Sequence, residues 1–282
     1  MKLDGLFKEH MDELNRFFDK YKGLAMFVKI KTYRDEEPYL ILNETSKMFD
    51  DARGKLDFKN IGEKNNIINT VWALIMLSFR LQWLCKSILS CQDYYSAAII
   101  YRAFIEHSFK HRYIFIYCIK KGDDIAEDYV SSDHIADEQL RKLRNAMWPD
   151  GLTNKLKVLK NRTRKTADKF TFKEVSTNTS RFLREFYDND EIQTMFRSTM
   201  VQYSALSSYV HAGPMAVLDL EKKPKNNIDM SSVLFTIIAY NDTTRLLSSY
   251  PSEHQDKLKT LNKEIDKKIK KALAIYEKNY VS

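Results

Sequence analysis

The chain has 282 residues, of which only 7 are Gly and 5 are Pro, and its formal net charge is +8. So few Gly and Pro leave little material for hairpins, sandwiches, barrels or Gly-rich phosphate loops, and they exclude collagenous and Pro-rich classes. An apolar share of 44% beside 30% charged residues fits a globular chain; its basic excess mildly favours anionic partners.

Taken in chain order, apolar residues such as Leu3, Phe7, Leu14, Phe18 and Phe27 recur at spacings of three and four. That periodicity predicts an amphipathic helix over residues 3–31. The stretch from Arg34 to Pro38 interrupts it, and a second helix runs to about Ala52, before Gly54 and Gly62. A long helix is expected from about Lys64 to Leu89. It is apolar nearly all round, the pattern of a bundle centre. Its most apolar part contains Arg80, Gln82 and Lys86, so a core helix and no membrane span is expected. Asp93 is placed as the N-cap of the next helix, from Tyr94 to Lys120, with Gly122 as its stop. The short link makes these two helices a central hairpin.

The middle of the chain changes character. Residues 122–138 carry seven acids and no Lys or Arg, whereas residues 141–173 carry eleven basic residues and two acids. The two segments either neutralise each other as a solvated face or leave the second as a nucleic-acid surface. On the latter reading Lys155, Lys157, Lys160, Arg162, Arg164 and Lys165 contact phosphates. Helical patterning resumes from about Ser180 to Tyr209 and breaks at His211-Ala-Gly-Pro214. A polar loop covers Glu221 to Asn227, an apolar helix runs from Met230 to Leu247, and a Lys-rich helix ends the chain. The expected fold is all-α, an antiparallel helical bundle. Its parts are N-terminal helices over 1–62, a bundle core over 63–250 and a C-terminal helix over 251–282. The cysteines Cys85, Cys91 and Cys118 are odd in number, and the N-terminal segment has no apolar export signal. A reducing, cytoplasmic setting is expected.

Chemistry concentrates in the run Tyr101-Arg-Ala-Phe-Ile-Glu-His107. Arg102 and Glu106 are at i,i+4 and share a helix face. Arg102 and His107 project about 140° apart and so flank a face. A buried Arg102–Glu106 pair is the structural alternative to a catalytic one. His107 and His111 also stand at i,i+4, as a zinc pair would. No third ligand is evident, so neither metal nor cofactor is expected. Ser207 and Ser208 lack the Gly-x-Ser-x-Gly elbow of a serine hydrolase.

Arg102 and His107 together resemble the Arg-x4-6-His motif of HEPN domains. These are small helical bundles, many of them metal-independent ribonucleases of toxin and antiphage systems. The resemblance implies that Arg and His act from two protomers across a dimer interface. Arg102 would hold phosphate, while His107 or His211 would transfer protons. The layout of Arg102 and Glu106 with the downstream Leu206–His211 stretch also resembles the bacterial helical family called domain of unknown function 5677. That resemblance implies that Arg102, Glu106 and His211 converge. The partners expected are RNA and either a protein partner or a second copy, with no membrane. A non-catalytic interaction subunit and a DNA-binding accessory protein are the alternative functions.

Overall fold

Small hydroxyl side chains, as much as large apolar ones, build the centre of this bundle. The structure, a computed structural model, describes residues 37–54, 68–121, 126, 129, 172–210, 225–249 and 255–280. All of these fall within one unit, Glu36–Ser282. The predicted helix over 3–31 and most of the 122–138 and 141–173 segments lie outside the described residues.

Seven helices occur among the described residues, and no strand: α1 (Glu37–Gly54), α2 (Ile68–Ser90), α3 (Tyr94–Lys121), α4 (Phe172–Phe186), α5 (Asp190–Val210), α6 (Asn226–Ser248) and α7 (Gln255–Tyr280). The all-α class and the α2–α3 hairpin follow the sequence reading. Asp93 Oδ1 accepts the Ser96 amide proton at 2.7 Å, so it caps α3 as its residue type predicts. The helix expected from Ser180 to Tyr209 is instead two helices. The chain breaks at residues 187–189, and Asn189 Oδ1 accepts from the Ile192 amide at 3.1 Å, restarting the chain as α5. The helix expected from Met230 starts earlier, at Asn226, inside the expected Glu221–Asn227 loop. Lys225 turns inward and its Nζ donates to Asp229 at 2.6 Å, opening α6 earlier than the polar run suggests.

The largest correction concerns the centre. α6, not α2, is the helix buried all round: every residue from Ile228 through Thr244 is buried. It packs on α1, α2, α3 and α7. Hydropathy under-rates α6 because its core-facing positions include Ser232, Thr236, Thr243 and Thr244. Thr236, Thr243 and Thr244 donate to carbonyls four residues back, at 2.7–2.8 Å, so each buries its own polar group satisfied. Aromatic rings fill the space around it: Phe196 meets Phe235 edge-on at 4.4 Å and Phe49 stacks on Tyr240 at 4.5 Å. Burying each such ring is worth about 1.5–3 kcal/mol.

Conversely, α2 exposes a stripe. Trp72 is 50% exposed, Met76 39% and Trp83 78%. By length and composition its 70–90 stretch is apolar enough to cross a membrane, and half of the qualifying window is buried against the rest of the bundle, as a core helix also would be. Cys85, Cys91 and Cys118 form no disulfide.

Candidate functional site

Two polar groupings form on α3, one at its surface and one in the core. The surface grouping holds the residues singled out in the sequence. Arg102 Nη1 lies 3.7 Å from Glu106 Oε1, and these side chains are 27% and 29% exposed. The pair is therefore half-buried within one helix, not a core pair. It reaches a second helix through Tyr203 of α5, whose hydroxyl donates to Glu106 Oε1 at 2.5 Å. The Arg102 guanidinium sits over the Tyr203 ring at 4.9 Å. Phe172 also stacks on the Tyr203 ring, at 3.7 Å between centroids. Burial first, and then the bond to the Glu106 carboxylate, push the Tyr203 hydroxyl up to about 12. It therefore stays a donor at neutral pH.

His107 occupies the flank nearer α2. Its Nδ1 lies 3.1 Å from the Ala103 carbonyl, which can only accept, so Nδ1 carries the proton. That leaves Nε2 unprotonated, with no hydrogen-bond partner among the described residues. Burial, followed by the charges of Lys110 and Arg80, holds its pKa below the ordinary value. A neutral imidazole with an open Nε2 is the form a general base requires. Within one chain, Arg102 and His107 thus point to different neighbours, as their spacing predicts. His211 and the six cations Lys155, Lys157, Lys160, Arg162, Arg164 and Lys165 lie outside the described residues.

Of the second grouping the sequence reading weighs only His111, as half of a zinc pair. His111 and Arg112 are each 1% exposed. His111 Nε2 lies 3.0 Å from Thr243 Oγ1 and 3.3 Å from Ser78 Oγ. Thr243 donates its own proton to the Ala239 carbonyl, so His111 Nε2 donates to Thr243. His111 is committed to α2 and α6 and is no partner for His107 in a metal pair. Among the described residues no group of three His, Cys, Asp or Glu side chains converges. One position on, Arg112 forms an ion pair with Asp242 of α6. Tyr187 donates to both Asp242 oxygens at 2.9 and 3.0 Å. The guanidinium stacks between Tyr187 and Phe196, 4.8 and 4.9 Å from their centroids. Burial pushes the Asp242 carboxyl up and the Arg112 guanidinium down. Each lies beside the other, and an opposite charge at that position offsets part of the cost of burying it. A cleft of about 360 Å³ opens beside the carboxylate, lined by Tyr187, Asn241, Asp242, Arg245 and Asp266 among others.

Burial holds the His111 pKa well below its ordinary 6.5. The unfolded chain therefore binds this proton more readily than the folded one. The contribution of His111 is complete above about pH 6.5 and is lost as pH falls, by up to about 1.4 kcal/mol per pH unit. The His111→Gln variant, which cannot titrate there, should show a flatter loss of stability between pH 6.5 and 5, read from urea midpoints.

No family model matches the chain, and neither the curated proteins nor the solved structures give a match.

Proposed function

We propose that the chain is a bacterial defence or toxin-type protein with an HEPN-like core that acts on RNA as a metal-independent endoribonuclease. The observation that carries this reading is His107: neutral, fixed by its Nδ1–H on the Ala103 carbonyl, with Nε2 unprotonated and the charges of Lys110 and Arg80 acting on the ring. Nε2 takes the proton of a ribose 2′-hydroxyl as that oxygen attacks the adjacent phosphorus. The bond from phosphorus to the 5′-oxygen breaks, and that oxygen leaves with a proton. His211 is the second candidate for proton transfer. Arg102 offers its fork to the non-bridging phosphate oxygens. Arg102 and His107 diverge on one helix, which suits a site where a second copy supplies the opposite member of the pair.

The chemistry fixes the products. RNA incubated with the chain and a chelator should yield fragments ending in 2′,3′-cyclic phosphate and 5′-hydroxyl. Fragments with 3′-hydroxyl ends would overturn the reading, as would no cleavage across structured and unstructured RNAs.

A second reading has its own support. Arg102 already has Glu106 and Tyr203 as partners, as an architectural arginine in a non-catalytic interaction subunit would.

A further inference from the structure

The cleft of about 360 Å³ between the α4–α5 break, α6 and α7 has the size of a small-molecule site, and its polar groups are sorted by depth. At its floor stand Asn241 and Asp242, 4% and 1% exposed. Asn241 Nδ2 donates to Asp266 Oδ1 at 2.7 Å, which fixes the orientation of the amide. Its other atom, Oδ1, is a buried acceptor with no hydrogen-bond partner. Such an atom is costly to leave unmatched. Beside it the Asp242 oxygens accept from Tyr187, and Arg112 meets the charge of the carboxylate. The floor therefore calls for a donor, and it has no uncompensated charge with which to hold a buried cation. The group that fits is a neutral N–H.

The walls above are apolar, formed by Ile192, Ile238, Ile269 and Leu273. At the rim Asp188 and Lys270 are exposed, an acceptor and a donor on one opening. Arg245 and Asp266, on the same rim, bond to each other. Sugar hydroxyls, which both donate and accept, match a rim of this kind. A neutral N–H at the buried end, a flat body and hydroxyls at the outer end together describe a nucleoside whose base carries an amino group. We infer that this cleft binds an amino-bearing nucleoside unit base-inward, with the exocyclic amine on Asn241 Oδ1 and the ribose between Asp188 and Lys270. None of the described lining residues belongs to α2 or α3, so the site is separate from His107 and stands whether or not the chain cleaves RNA.

The test is calorimetric titration of the full chain with two matched pairs. Purine riboside is adenosine without its amine, and uridine has an oxygen where cytidine has one. At least one of adenosine and cytidine should bind about 10-fold or more tighter than its own analogue, because the analogue leaves Asn241 Oδ1 unmatched. Asn241→Ala, with its melting temperature recorded, should erase that preference. Lys270→Ala, at an exposed position, should weaken adenosine and purine riboside alike, by about 3-fold. Displacement of adenosine by a short oligoadenylate would assign the nucleoside to an unpaired residue of a strand; lack of displacement would assign it to a free nucleoside or nucleotide. A wild type that binds neither adenosine nor cytidine would overturn the inference. So would equal binding of both members of each pair, or a preference that persists in Asn241→Ala.

Discussion

Asp242→Asn should destabilise the fold by about 3–5 kcal/mol, which lowers the melting temperature of a domain this size by about 10 °C. The substitution leaves the Arg112 guanidinium, 1% exposed, without its counter-charge in a core it cannot leave. Tyr187 loses one of its two acceptor oxygens at the same time. The double replacement Arg112→Met with Asp242→Leu should recover most of the loss, because removing both charges also removes the cost of burying them. Urea unfolding of the three variants checks this. A single Asp242→Asn variant within 1 kcal/mol of wild type would show that the pair does not hold the core.

Arg102→Ala should separate the two functional readings. The Arg102–Glu106 pair is more than a quarter exposed and within one helix, so its loss should cost less than about 1 kcal/mol. If Arg102 holds the scissile phosphate, the same change should slow RNA cleavage by about 100-fold or more. Unfolding of the Arg102→Ala chain, with no cleavage to lose, would instead mark Arg102 as architectural.

Much of the helical layout is readable from local pattern. Asp93 announces the start of α3, and the stripe of Leu258, Ile265, Ile269 and Ala272 buries as its spacing predicts. What fails is the ranking of helices by hydropathy. α2 looks central because Trp72, Met76 and Trp83 count as apolar, yet these face outward. α6 looks less so because Ser232, Thr236 and Thr243 count as polar, yet their hydroxyls are satisfied inside the helix or by its neighbours. The break at Tyr187-Asp188-Asn189 was present in the composition, as a run of turn formers before Asp190, but helical periodicity on both sides masked it.

The surface pair of Arg102 and Glu106 was legible from i,i+4 spacing. The deeper pair was not, because Arg112 and Asp242 are 130 positions apart and pairing across that distance has no local signal. A hint existed. Arg112 directly precedes the apolar run Tyr113-Ile-Phe-Ile116, Asp242 is the one acid within Met230–Leu247, and their signs are opposite. Such charges need each other.

The proposed chemistry turns on one ring nitrogen. The measurement that tests it most directly is the single-turnover cleavage rate of a labelled RNA by wild type and by His107→Ala, at pH 7 and with both melting temperatures recorded. The result expected is a loss of 100-fold or more with the fold intact, the size of a missing general base. Cleavage by His107→Ala at the wild-type rate would contradict it.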